Sequence, residues 1–283
     1  DGLSDSLCPH PDDPEDRFLK KILEDLLLPF ENLHEELISL HEQLLDGSYR
    51  QGNYRRFTVY DPKQRTICAL PLRDRVVQHA MMRICHPLFE RYQCSCSFAS
   101  RIERGTYKAL EKAQSYCQHY QWWLKLDVRK FFDSIDHGQL RQQLERLVKD
   151  RLLLNYWDMT INSYETTTGR GLPIGNLTSQ YWANHYMAVA DHYVQEQLHA
   201  GHIVRYMDDV AFWSDDRQEL LRISSDYTAF VRERLKMEMH PLVMNRSSMG
   251  MPFLGYVVYP NSLRLSQRSR KPYHPRHILG TRA

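Results

Sequence analysis

The chain has 283 residues, 42% hydrophobic and 25% charged, with a formal net charge of +2. That balance fits a globular protein with a sizeable core and room for more than one subdomain. It contains no run of 18 apolar residues, so no transmembrane helix and no membrane partner is expected, and Asp1-Gly2-Leu3 opens no signal peptide.

The six cysteines, at 8, 68, 85, 94, 96 and 117, form no CxxC pair. They read as reduced thiols of a cytoplasmic protein, not as a disulfide framework or a zinc site. Charge is unevenly spread. Residues 1–16 are acid-rich, whereas 50–83 carry eight Arg and Lys against Asp61 and Asp74, and the stretch from 262 onward is basic with no acid. Such stretches either track phosphates or form solvated faces.

In chain order, 15–46 reads as helix, with apolar stripes Leu19, Ile22, Leu26, Leu27, Phe30 and then Leu33, Leu37, Leu40, Leu44. Strands are expected at 56–60 and 65–70, joined by the turn Asp61-Pro62-Lys63-Gln64. Leu72–Phe89 reads as a helix burying Val76, Val77, Ala80, Ile84 and Leu88, and 103–120 as a second helix. Trp122–Val128 is an apolar strand, 136–152 one amphipathic helix, 161–170 a polar β-ribbon and 177–198 a long helix. Then come strand, turn and strand over 203–213, a helix at 217–235, and a closing hairpin around Phe253-Leu254-Gly255-Tyr256. The order implies an α+β fold with an antiparallel sheet.

Two carboxylate centres stand out. Tyr206-Met207-Asp208-Asp209 places adjacent acids in a turn between apolar flanks, and Asp127 ends the strand Leu124-Lys125-Leu126-Asp127-Val128. Hard oxygen ligands of this kind suit Mg²⁺. Three carboxylates meeting at one sheet edge would hold two ions in the manner of a polymerase, and without cations they would repel one another. Each acid taken singly also reads as a surface turn or a cap.

The run Leu124-Lys125-Leu126-Asp127-Val128-Arg129-Lys130-Phe131-Phe132-Asp133-Ser134-Ile135-Asp136-His137 resembles the first palm motif of bacterial reverse transcriptases. Gly171-Leu172-Pro173-Ile174-Gly175-Asn176-Leu177-Thr178-Ser179-Gln180 resembles the second, Tyr206-Met207-Asp208-Asp209 the third, and Phe253-Leu254-Gly255-Tyr256 the primer grip. Asp61–Arg65 and Arg73–Ala80 resemble the fingers, and the matches run in register from about 46 to 260.

The resemblance implies a right-hand polymerase. Fingers would span 46–120 and an antiparallel palm sheet flanked by helices 121–260. An N-terminal helical segment would occupy 1–45, and only the start of a thumb 261–283. It implies Asp127, Asp208 and Asp209 as catalytic metal ligands with Val128 beside them. Two Mg²⁺ ions would bind, with Mn²⁺ as a substitute. Lys63, Arg65, Phe132, Ile174, Gly175 and Gln180 would bind the nucleotide, with Phe132 as gate against a 2′-hydroxyl and Phe131 in the core. Phe253, Leu254, Gly255 and Tyr256 would hold the primer. Template RNA, cDNA or primer and dNTPs would be the substrates, and an accessory protein and a structured RNA the partners.

One departure narrows the resemblance. Most relatives have Gln where this chain has Ile174 and Pro where it has Gln180. The pattern Ile-Gly-x-x-x-Ser-Gln is similar to the diversity-generating retroelement type, within the superfamily of group II intron and retron enzymes. It points to error-prone copying of a template RNA, because apolar contact discriminates weakly among similar shapes. Phage-defence, retron and CRISPR-associated enzymes are the enzyme alternative. A catalytically silent RNA-binding fold is the non-enzyme one. The stretch Met239-His240-Pro241-Leu242-Val243 lacks the lysine that many relatives carry, which leaves the proton donor to pyrophosphate unassigned.

Overall fold

A computed structural model describes residues 33–60 and 64–267. Residues 15–32 of the expected first helix, Lys63 with most of its turn, and the tail beyond 267 lie outside the described residues. The elements are α1 (Leu33–Asp46), β1 (Arg55–Tyr60), β2 (Gln64–Ala69), α2 (Leu72–Tyr92), α3 (Thr106–His119), β3 (Trp122–Asp127), α4 (Phe131–Ser134), α5 (His137–Leu147), α6 (Arg151–Asn162), α7 (Leu177–Glu196), β4 (Ile203–Tyr206), β5 (Asp209–Ser214), α8 (Arg217–Leu235), β6 (Val243–Arg246), β7 (Met251–Phe253), β8 (Tyr256–Tyr259) and β9 (Ser262–Leu265).

The central sheet has strand order β4-β5-β3-β6, and all its pairs are antiparallel. Side chains alternate across it, as the two-residue strand period requires. Leu124, Leu126, Val210 and Phe212 enter a core shared with Trp182, Tyr186, Tyr227 and Val231 of α7 and α8. Trp123, Ala211 and Trp213 face the other way, onto Ala109, Leu110 and Ala113 of α3 and onto Met251, Phe253 and Val258. Burial on both faces explains why β3 and β5 read as near-continuous apolar runs. A separate hairpin, β1-β2, and a three-stranded sheet, β7-β8-β9, flank this centre, and the latter runs past residue 260 to Leu265.

Several elements differ from the sequence reading. The single helix expected over 136–152 is two. α5 ends at Leu147 with Val148 extended, and the Asp150 side chain accepts a hydrogen bond from the Leu153 amide to start α6. No β-ribbon forms over 161–170, because α6 runs on to Asn162. The polar residues after it make only the isolated bridges Thr167–Arg170 and Asp136–Arg170. α2 buries Val77, Gln78, Met82, Cys85 and Phe89, whereas Val76 and Ala80 are exposed and Ile84 is 79% exposed. The buried row contains Gln and Cys, so apolar spacing pointed to the neighbouring row; packing of Phe89 against Trp157 and Tyr181 decides the face. β6, which zips onto β3 through Lys125–Val243 to Trp122–Arg246, had no counterpart in the expected elements.

Candidate active site

β3 and β5 are paired so that Asp127 lies opposite Asp209, and β4 and β5 so that Tyr206 lies opposite Asp209. Only Met207 and Asp208 bridge β4 and β5. Met207 takes φ +55°, the left-handed region that a non-glycine residue adopts at a cost. The tight turn thus thrusts Asp208 out at the end of the sheet, beside Asp127.

Burial, then the negative charges of Asp127 and Asp209, push the Asp208 carboxyl up to about 7. Asp209 is half-buried, and its Oδ1 lies 3.1 Å from Lys125 Nζ, two residues before Asp127 on the same face of β3. The three acids are therefore not equivalent. Asp127 and Asp208 oppose one another, and Asp209 leans on a lysine. Among the described residues no group of three His, Cys, Asp or Glu side chains is spaced as a ready-made metal cage. The Asp127–Asp208 pair still suits a hard cation, since two carboxylates converge where one is too desolvated to ionise easily.

An open cleft of about 400 Å³ collects most of the expected residues: Arg65, Asp127, Val128, Phe132, Ile174, Asp208, Asp209 and Leu254. Phe131 is buried and Phe132 half-buried, their rings edge-to-face at 5.4 Å; both border the cleft, Phe131 from within the core and Phe132 with the more exposed ring. The loop before α7 is fastened from two sides. The Leu172 amide donates to Phe132 O at 2.8 Å, and the Cys68 amide donates to Ile174 O at 2.7 Å. Gly175, at φ +116°, lies so close to β2 that a Cβ there would meet Ile67 Cγ2 at 2.9 Å and Cys68 O at 3.0 Å.

Other expected residues stand apart. Gln180 is exposed, lines no part of the cleft and meets Ser100 Oγ at 3.5 Å. Phe253 is buried in the core beneath β7-β8, and Tyr256 packs against that core, leaving Leu254 as the hairpin residue on the cleft.

The cleft also takes in Lys130, Asp133, Tyr206 and Met207, which the motifs contained without an assigned role, and His240, from the stretch that lacks the relatives' lysine. His240 arrives because the segment after α8 pairs with the extension of β3: the Arg129 amide donates to Glu238 O at 2.8 Å, and the His240 amide to Asp127 O at 2.7 Å. Lys125 could have been found by counting back two residues along the strand from Asp127; for His240 the sequence singled out only the stretch 239–243, and the tertiary pairing brings that one residue to the cleft.

Comparison with known proteins bears on the family and the fold. The profile for reverse transcriptase (RNA-dependent DNA polymerase) matches residues 55–258. Protein YkfC of Escherichia coli is 27% identical over 198 residues, which is 65% of this chain and 51% of that protein. Group II intron-encoded protein LtrA of Lactococcus lactis is 26% identical over 184 residues, 62% of this chain and 30% of its own length. The chain thus spans about half the length of YkfC and less of LtrA. Among solved structures, telomerase from Candida albicans in complex with a telomeric RNA fragment superposes with TM-score 0.59 at 13% identity, over 86% of this chain and 52% of that one. Apo telomerase from Candida tropicalis truncated from its C-terminal domain gives TM-score 0.56 at 12% identity, over 76% of this chain and 55% of that one. At such identities the likeness is one of fold, a mixed α and β architecture with antiparallel sheets. With the family profile covering most of its length, the chain belongs to the reverse transcriptase family.

Proposed function

We propose that the chain is the catalytic part of an RNA-directed DNA polymerase that extends a primer with dNTPs on a template RNA. The observation that carries this reading is the meeting of Asp127, Asp208 and Asp209 at one sheet end, in a cleft also walled by Arg65, Phe132 and Ile174. On this reading residues 46–120 are the fingers and 121–260 the palm.

Asp127 and Asp208, with Asp209 and the Val128 backbone, would hold two Mg²⁺ ions, or Mn²⁺ in their place. Bound there, the ions would lower the pKa of the attacking 3′-hydroxyl and offset charge on the triphosphate. A cation bound between Asp127 and Asp208 would favour the ionised form of Asp208 and offset the burial that raises its pKa. Arg65 presents a planar guanidinium that matches phosphate oxygens. Phe132 takes the space of a ribose 2′-hydroxyl. Ile174 offers an apolar contact to the nascent pair, and Leu254 supports the primer end. His240 fills the role of proton donor to the leaving pyrophosphate.

For the biological task we favour targeted diversification: error-prone cDNA made from a template RNA, with a structured RNA and an accessory protein. Ile174 on the cleft wall supports it, since the position offers the base pair no amide. A second reading, in which the chain works with an intron RNA, draws on relatives that are named intron-encoded proteins or intron maturases. Sequencing of cDNA made by the purified protein on its co-purifying RNA separates them. Diversification requires errors concentrated at template adenines and fewer of them in Ile174→Gln. Uniform accuracy on an intron RNA favours the second reading. Asp208→Asn abolishes incorporation in both cases while RNA binding persists; extension at the wild-type rate by this variant removes the site assignment.

A further inference from the structure

We infer that Arg205, which lines no part of the cleft, is a positioning residue that holds the Met207–Asp208 turn in its catalytic shape. The inference rests on the polymerase reading above. Arg205 lies on β4, two residues before the turn, and is completely buried together with Asp191 of α7.

Every donor of its guanidinium is engaged. Nε donates to both oxygens of Asp191, at 2.7 and 2.8 Å, and Nη2 to Asp191 Oδ2 at 2.6 Å and to Ser97 Oγ at 3.0 Å. Nη1 divides itself between Asn184 Oδ1 at 2.8 Å and the Met207 carbonyl at 3.1 Å. The last contact is the informative one. Met207 carries the left-handed φ, and its carbonyl belongs to the peptide that joins it to Asp208. A rigid charged donor on that oxygen fixes the peptide plane, and with it the direction in which Asp208 leaves the sheet.

The rest of the network explains why the anchor does not move. Asp191 and Asn184 stand on α7, the central core helix. Cys96, Ser97 and Phe98 run along the outer edge of β4: the Arg205 amide donates to Cys96 O at 2.8 Å, and the Phe98 amide to Arg205 O at 3.0 Å. Asn184 Nδ2 in turn donates to Ala99 O at 2.9 Å. The turn is thus tied through one side chain to a long helix and to the segment that follows α2. A buried ion pair is a poor device for stability alone, because apolar residues of similar volume commonly serve as well. The forked shape, which reaches Asp191 and Met207 O at once, is what an apolar pair cannot supply.

The test uses the full chain and three variants. The double variant R205M/D191L removes both charges together, so that neither is left buried alone. R205K keeps the charge pair, but a single ammonium cannot span both partners. D208N reports on the site reading itself. Folding by thermal melt, template-primer affinity, single-turnover incorporation and hydrogen exchange of the 207–209 amides are measured for each. The expected result is a folded double variant with unchanged affinity and unchanged KM for dNTP. Its incorporation rate should fall by about 10²-fold, the scale of a misplaced reacting group, and exchange at 207–209 should accelerate even without added Mg²⁺. R205K should shift in the same direction. A folded double variant with wild-type rate and wild-type exchange overturns the inference. So does failure of both Arg205 variants to fold, which would make the network a folding device. If D208N remains active, the polymerase site is misassigned and the anchor falls with it. If D208N is inactive while the Arg205 variants match wild type, the anchor alone is wrong.

Discussion

At the scale of single residues the proposed chemistry turns on Asp208. Its carboxyl is raised from the ordinary 3.8 to about 7, chiefly by burial and then by Asp127. An acid whose pKa rises on folding stabilises the fold fully below its unfolded value, and that contribution disappears as pH climbs through the folded one. The metal-free protein should therefore lose stability between about pH 4 and pH 7. Asp208→Asn, which carries no charge, should escape this loss. Its Tm without divalent ions should exceed wild type at about pH 8 and converge with it near pH 4, and Mg²⁺ should raise the wild-type Tm more than the variant's. Identical melting curves across that range would mean that Asp208 is not held in the proposed environment. Phe132 supplies a second residue-scale prediction. Its half-buried ring borders the cleft beside the more deeply buried Phe131. Phe132→Ala should lower the preference for dNTP over rNTP with little loss of Tm, and an unchanged ratio in competition assays would put the gate elsewhere.

At the scale of elements, the decisive pieces are the β4-β5 hairpin and the loop before α7. The hairpin was legible because its two acids interrupt an otherwise apolar run. The loop carries a glycine whose need was not legible. Gly175 stands at φ +116° with β2 backbone 3.0 Å from where a Cβ would be. Gly175→Ala should therefore combine strain at positive φ, of order 1 kcal/mol, with displacement of Ile174 from Cys68. Its measurable outcome is a lower Tm and a raised KM for dNTP, and a neutral result in both would exclude close docking of β2 on this loop. Helix ends followed sequence where a cap was present. Asp136 accepts from the Gln139 amide to open α5, and Asp216 from the Gln218 amide to open α8. The break at 148–150 was missed because the apolar stripe seemed to run on, and the cap at Asp150 overrode it. β6 was missed for the opposite reason. Three of its four residues are exposed, so it has no burial pattern to announce it and exists because β3 offers an edge to pair with.

At the scale of the whole molecule, a formal charge of +2 conceals a basic hairpin: Arg55, Arg56 and Arg65 are all exposed on β1-β2. If these track a nucleic-acid backbone, template-primer affinity should fall steeply with salt. Arg55→Gln should then flatten the slope of log K against log salt by about 1 without changing sequence preference. A slope that stays at its wild-type value would place Arg55 off the backbone. Within the described residues no helix is long and apolar enough to cross a membrane. What the sequence determined by itself was the order of the main elements, the family and the three acids, because each is written in local spacing: alternation in β3 and β5, the adjacent acids of the turn, and motifs in register. What only the tertiary structure decided was which residues meet. The pairing of Lys125 with Asp209, the arrival of His240 beside Asp127, the exit of Gln180 from the cleft and the grip of Arg205 on Met207 all join positions through strand register or through packing on α7. Such contacts follow from how whole elements bury their faces, and a residue's near neighbours in the chain do not carry that information.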